Sequence, residues 1–211
     1  MNAITLKNIN KRFGDNIVLD DFSIEVTQGD YVSITGESGK GKTTILNIIG
    51  MLNVPDSGTV TILGNKNPDF SSHVAIQLRR NNISYLFQNY GLIDTETVEY
   101  NIHISLSFKK LSKAEKKQMI MEALERVGLS GYEKRKIFTL SGGEQQRVAL
   151  AKIIAKSPTI ILADEPTGSL DEKNKNYVLK ILDDFNREGK TVIVVTHDPC
   201  VAACAKQHIC L

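Results

Sequence analysis

The segment Gly36-Glu37-Ser38-Gly39-Lys40-Gly41-Lys42-Thr43 constrains this chain more than any other. Two glycines separated by four residues, then Lys and Thr, let the backbone close into a tight loop whose N–H groups converge on one point. Ahead of it, after a turn at Gly29-Asp30, Tyr31-Val32-Ser33-Ile34 reads as a short strand; behind it a helix is expected from Gly41 to about Ile49. A strand that runs through such a loop into a helix N-terminus builds an anion site, because the helix dipole reinforces the converging N–H groups. A polyphosphate suits it: Lys42 reaches the β- and γ-phosphates, and the Thr43 hydroxyl can ligate Mg²⁺. The competing reading is an ordinary glycine-rich turn, which the strand-then-helix position disfavours.

An acidic partner is available downstream. Ile160-Ile161-Leu162-Ala163 and Thr191-Val192-Ile193-Val194-Val195 are continuous apolar runs, as in strands buried on both faces of a parallel sheet. The first ends in Asp164-Glu165, which would deliver carboxylates to the phosphate loop at the carboxyl edge of the sheet. Asp164 is the candidate for holding Mg²⁺ through water, and Glu165 the candidate general base. In isolation Asp-Glu after a strand reads as a surface turn; the upstream loop reverses that preference.

The remaining patterns are mixed. Ile4-Thr5-Leu6 and Phe22-Ser23-Ile24-Glu25-Val26 alternate, as half-exposed antiparallel-type strands do. Ser112 to Glu115 is a capping box ahead of Met119, Ala123, Leu124 and Val127 at helical spacing; Ser169 to Glu172 reads as another ahead of a Val178, Ile181, Leu182, Phe185 stripe. One α/β domain with an all-helical lobe is the simplest arrangement. A chain of 211 residues buries roughly 70% of its unfolded surface, enough for a conventional core. The net charge of +2 argues against a nucleic-acid partner. No apolar run reaches the ~18 residues of a membrane span, and the first ten residues lack the apolar region of a signal peptide. The chain is therefore expected in the cytosol unless it docks onto a membrane partner. Cys200, Cys204 and Cys210 are expected as free thiols; with His208 they could be drawn as a metal cluster, but the spacing fits no standard zinc pattern. Lys109, Lys110, Lys113, Lys116 and Lys117 are expected to form a solvated face, attraction to anionic lipid being the lesser alternative.

Leu140-Ser141-Gly142-Gly143-Glu144 has two readings. Ser141 and Glu144 form a capping box for the helix carrying Val148, Ala149 and Ile153. Two glycines in a first helical turn nevertheless weaken that helix by ~1 kcal/mol each relative to Ala, so something favours a bare backbone there; a second phosphate-binding helix N-terminus would account for it.

With these segments assembled, the sequence resembles an ATP-binding cassette (ABC) ATPase. Leu140-Ser141-Gly142-Gly143-Glu144-Gln145-Gln146-Arg147 is similar to that family's signature motif. The resemblance implies ATP and Mg²⁺ as cofactors, and a phosphate-loop, RecA-like α/β core with a small antiparallel β subdomain and a helical subdomain at about 89–157, all in one domain over 1–211. It places Phe13 as the adenine-stacking aromatic, Gln88 as the glutamine that approaches Mg²⁺, Ser169-Leu170-Asp171 as the D-loop and His197 as the γ-phosphate switch. Lys42, Gln88, Glu165 and His197 would carry catalysis; Thr43, Gln88 and Asp164 would hold the metal. Phe13, the 36–43 loop with Thr44, Ser141, Gly142, Gly143 and Asp171 would bind the nucleotide.

The family further implies a head-to-tail dimer sandwiching two ATP, each between one chain's phosphate loop and the other's Ser141-Gly142-Gly143. A transmembrane permease would dock near Gln88 to Leu92, holding the chain on the inner face of the cell membrane. Leu46-Asn47-Ile48-Ile49-Gly50, Leu78-Arg79-Arg80 and Ala163-Asp164-Glu165-Pro166-Thr167-Gly168 are similar to the branch serving macrolide-exporter and lipoprotein-release permeases. Phe87-Gln88-Asn89, Leu92-Ile93-Asp94 and Thr97-Val98-Glu99-Tyr100-Asn101 look closer still to ATPases assigned to bacteriocin export. The chain stops soon after His197, so no C-terminal regulatory extension is expected. Phe13 replaces the family's usual Tyr, and Lys40 and Thr43-Thr44 replace its commoner Ser and Ser-Thr. Non-transport complexes for peptide sensing, resistance or lipoprotein extraction would use the same cassette. A DNA-end or ribosome-acting ATPase would need a coiled-coil insert or a second cassette, and neither pattern is present.

Overall fold

A computed structural model describes residues 1–168 and 170–211. Two long strands, β1 (Asn2–Phe13) and β2 (Asn16–Thr27), form an antiparallel hairpin, extended by β4 (Ser57–Ile62) and β5 (Asn65–Lys66) into a sheet of order β2-β1-β4-β5. The register pairs Ile4 with Val26 and Ile62, and Leu6 with Ile24 and Val60. The alternation therefore puts one apolar face inward, as period two requires.

The second sheet is parallel. It comprises β3 (Tyr31–Thr35), β6 (Ile83–Leu86), β7 (Ile160–Asp164), β8 (Thr191–Val195) and β9 (Gln207–Cys210), ordered β6-β7-β8-β3-β9. All five residues of β7 and of β8 are buried, which is why these runs show no alternation. Successive side chains still divide between two cores. Ile160, Leu162, Ile193 and Val195 face α1 (Lys42–Ile49), α2 (His73–Asn81) and the antiparallel sheet. Ile161, Ala163, Val192 and Val194 face α3 (Val98–Ser105), α4 (Lys113–Arg126), α5 (Gly142–Lys156) and α6 (Glu172–Arg187). Each buried Ile, Leu or Val contributes about 1.5–3 kcal/mol.

The Val178, Ile181, Leu182, Phe185 stripe of α6 is buried as its spacing requires. Its N-cap is a correction: Asp171 caps the helix, accepting from the Asn174 N–H, not Ser169, which lies outside the described residues. The boxes at Ser112–Glu115 and Ser141–Glu144 both form. Lys110, Lys113 and Lys117 are exposed, but Lys109 departs from the expected solvated face: its Nζ donates to Ala155 O at 3.4 Å and burial lowers its pKa. A short helix, α7 (Pro199–Ala202), precedes β9; the three cysteines are free and exposed, and His208 Nδ1 lies 2.8 Å from Ser33 Oγ. Among the described residues no helix is long and apolar enough to cross a membrane.

Candidate functional site

Parallel register decides where the polar residues meet. Ile34 and Asp164 both stand opposite Val195, and Leu86 stands opposite Ala163. The next residues along each strand, the 36–43 loop, Glu165, His197 and Gln88, therefore emerge side by side at the carboxyl edge, where open α/β sheets bind ligands. They enclose a cleft of about 450 Å³ lined by Phe13, Val18, Ser38, Gly39, Gly41, Lys42, Thr43, Thr44, Gln88, Asp164, Glu165, Val195 and His197.

The loop is shaped by its glycines. Gly41 has φ of +88°, and a Cβ there would lie 2.8 Å from Val18 O and 2.9 Å from Leu19 Cδ2, so only glycine fits. Lys42 is 8% exposed and its Nζ donates to Gly36 O and Glu37 O, both at 2.8 Å. Gly36, Glu37 and the exposed Lys40 thus belong to the loop without lining the cleft. Gly41 caps α1 with no side-chain hydrogen bond, whereas Ser72, Thr97, Ser112, Ser141, Asp171 and Asp198 cap the other α-helices through theirs. The orphan N–H groups at the start of α1 are left for an external acceptor.

The acidic wall faces them. Thr43 Oγ1 donates to Asp164 Oδ1 at 3.2 Å. Burial pushes the Asp164 carboxyl above its ordinary range; the Thr43 hydrogen bond opposes this and neighbouring Glu165 adds to it. A buried carboxylate beside a hydroxyl, with desolvation the leading influence on it, suits a divalent cation. Glu165 sits at φ +44°, an uncommon backbone region for a residue with a side chain. That twist is held by its N–H to Val195 O at 2.9 Å. The Glu165 carboxylate takes His197 Nδ1 at 2.9 Å and the His197 backbone N–H at 3.4 Å. Phe13, 51% exposed, stands at the mouth with Lys11 Nζ 5.4 Å from its ring centroid.

The remaining predicted residues lie elsewhere. Ser141, Gly142, Gly143 and Asp171 contribute nothing to the cleft of their own chain. Ser141 and Gly142 are exposed at the start of α5, and Asp171 is exposed at the start of α6. Asn174 joins the two helix starts. Its amide donates to Asp171 Oδ2 at 2.8 Å, and a Cβ on Gly143 would lie 2.7 Å from its Cγ. A side chain at Gly143 would thus have to displace the Asn174 amide, a neighbour that sequence reading missed. Tyr85, stacked on Phe87 at 4.1 Å, was also missed; its hydroxyl donates to Asn47 Oδ1 at 3.2 Å, and burial, then Asp164, raises its pKa. Neither contact leaves a trace in local spacing; Val18 entered the cleft unannounced for the same reason.

The family model described as ABC transporter matches residues 19–168. The chain is 39% identical over 213 residues to the macrolide export ATP-binding/permease protein MacB of Mannheimia succiniciproducens, covering 99% of this chain and 33% of the relative. It thus spans about a third of the MacB length. It is 38% identical over 203 residues to the uncharacterized ABC transporter ATP-binding protein YvrO of Bacillus subtilis, covering 94% of this chain and 89% of that one. A solved dimeric structure of the ATP-binding cassette MJ0796, in a post-hydrolysis state bound to ADP and Pi, superposes with a TM-score of 0.90 at 39% identity, covering 99% of this chain and 94% of that one.

Proposed function

This chain belongs to the ABC transporter family as an ATPase cassette, and from that premise we propose that it hydrolyses ATP between two copies of itself. Each ATP is held by one copy's 36–43 loop and covered by the other's Ser141-Gly142-Gly143. The observation that carries this reading is the separation of those two segments within one chain: the cleft holds the loop and the acidic wall but none of residues 141–143.

In this arrangement Phe13 stacks the adenine, and Lys42 exchanges its two loop carbonyls for β- and γ-phosphate oxygens. Thr43 and Asp164, with Gln88 approaching from the end of β6, would hold Mg²⁺, which would supply positive charge beside the phosphates. Glu165 accepts the proton of the attacking water. His197, already hydrogen-bonded to Glu165, fixes that carboxylate's direction and faces the γ-phosphate. Asp171 lies at the dimer seam beside Ser141-Gly142-Gly143. Residues 1–211 act as one cassette, with about 89–157 as its helical subdomain.

The cassette would power a transmembrane permease docked near Gln88 to Leu92, on the inner face of the membrane. Export is the favoured direction, supported by similarity to a relative named for macrolide export; a bacteriocin or other peptide is the cargo favoured by the motifs at 87–101. A membrane complex for peptide sensing or lipoprotein extraction would use the same chemistry.

The test is turnover against concentration. ATP hydrolysis per chain should rise as the isolated protein is concentrated, and Glu165→Gln should keep ATP binding, lose turnover and run as an ATP-dependent dimer in light scattering. A rate per chain that is flat from nanomolar to micromolar protein would refute the shared site.

A further inference from the structure

The aromatic at the mouth of the ATP cleft stands just past a kink. Along β1 the pairing with β2 joins Lys11 to Leu19, Arg12 to Ile17 and Phe13 to Asn16, so the register slips by one residue between Lys11 and Arg12. Such a slip bends a strand and re-aims the side chains around it. The segment ahead of β4 secures the bend. Asp56 donates its backbone N–H to Asn10 O at 2.9 Å. Its carboxylate then accepts twice, from Lys11 Nζ at 2.7 Å through Oδ1 and from the Arg12 N–H at 2.6 Å through Oδ2. These bonds, that of Lys11 first, hold the Asp56 carboxyl below its ordinary range.

One carboxylate thus ties down both residues that precede Phe13. Lys11 is the more informative of the two. Its side chain is only 15% exposed, and its Nζ lies over the Phe13 ring at 5.4 Å from the centroid, within the ~6 Å reach of a cation–π contact. Phe13 lines the cleft, whereas neither Lys11 nor Asp56 does. The lysine therefore takes one face of the ring and leaves the other for a base. An ordinary surface ion pair adds little to stability and nothing to a ligand; this one is attached to a ring of the ligand site. Phenylalanine has no hydroxyl, so its π-face is all it offers. That face is negative and repels the electron-rich face of a purine, and a cation behind the ring draws the charge away.

We propose that Lys11, held by Asp56, is a positioning residue for nucleotide binding: it fixes the Phe13 ring across the cleft mouth and polarises it for stacking against a purine. Neither Lys11 nor Asp56 touches the nucleotide. The pair sets how much the base adds to an affinity that the 36–43 loop supplies through the phosphates. This inference rests on the proposed ATP site, in which Phe13 stacks the adenine. Its signature is separable from that of the loop, because a ligand with phosphates and no base does not respond to it.

The test compares binding of ADP and of inorganic pyrophosphate, each with Mg²⁺, to the full chain by calorimetry. Lys11→Met removes the charge and keeps an unbranched stem. It should weaken ADP about threefold and leave pyrophosphate unchanged, and KM for ATP should rise by the same factor with kcat retained. Asp56→Asn should weaken ADP too, although it alters the net charge in the opposite direction, which separates the effect from long-range attraction of the phosphates. Lys11→Arg, which keeps a cation over the ring, should retain most of the affinity. In a Phe13→Leu background Lys11→Met should cost ADP nothing further. Melting temperature is followed in each variant, and pyrophosphate binding reports that the loop is intact. Equal loss of both ligands, no loss of ADP, or an undiminished Lys11→Met effect without the Phe13 ring would overturn the proposal. If Phe13→Leu leaves ADP as tight as in wild type, the stacking role of Phe13 fails and this inference with it. If Phe13→Leu weakens ADP and Lys11→Met does not, the ATP site stands and only the lysine's role falls.

Discussion

Phe87 opens into an apolar groove, and Gln88, one residue later, opens into a polar cleft. The cleft is made by strand register: residues from four sheet strands arrive level because the parallel pairs align Ile34, Asp164 and Val195. It contains both charges, with Lys42 on the loop and Asp164 and Glu165 opposite. The groove is made by helix packing, contains cations only, and joins residues from 50 to 156. A site that must hold a polyphosphate and its cation needs both signs of charge close together. A site that recognises a partner needs exposed apolar area and one unbalanced sign. The difference separates chemistry from recognition within one chain, and residues 87 and 88 are their shared wall.

The two regions should respond differently to substitution. The largest effect is expected from Glu165→Gln, which should lower steady-state phosphate release by about 10²–10⁴-fold and leave ATP binding intact. Parallel losses in both would tell against Glu165 as the base. Next comes Gly143→Ala, whose methyl would collide with Asn174. Turnover should fall by about tenfold, equivalent to about 1.4 kcal/mol, while ATP binding by the distant loop persists. Asn174→Ala should restore part of the loss, and a double-mutant cycle without coupling would remove Asn174 from the account of that helix start.

Asp164→Asn sharpens the electrostatic side. A carboxyl whose folded pKa is raised binds its proton more tightly folded than unfolded, so its contribution to stability declines as pH rises from the unfolded pKa through the folded one. The nucleotide-free Asn variant should therefore melt higher than wild type at neutral pH, and the gap should shrink in acid; Mg²⁺-dependent stabilisation by ATP should be lost. The smallest effect belongs to Ser112→Ala, which lines neither concavity. Losing that cap should cost about 1 kcal/mol, seen as about 2–4 °C in thermal melting for a chain of this size, with turnover unchanged.

The cleft was the more legible of the two because its parts are local words in the chain. A loop between strand and helix, and a carboxylate pair ending a buried strand, announce themselves by spacing alone. The groove is written across four elements, and its lysines look like any solvated helix face until packing turns Lys152 onto the Gly91 carbonyl and Lys156 onto those of Arg79 and Ile83. The Ser169 cap misled for a related reason. Both Ser169 and Asp171 are good N-cap residues, and Asp171 prevails because Asn174 bonds both of its carboxylate oxygens, by backbone and by side chain. The φ of Glu165 and the close approach of the Asn174 amide to Gly143 are consequences of tertiary structure, with no periodicity to betray them.

One measurement bears most directly on the shared ATP site. Lys42→Ala disables the loop of a chain and Ser141→Arg blocks its α5 start, so each variant alone should be inactive. Mixed together, they should regain turnover, because a dimer of one of each holds one site with an intact loop and an intact Ser141-Gly142-Gly143. A mixture that stays as inactive as its parts, with both variants folded and dimerising, would contradict a site built by two chains.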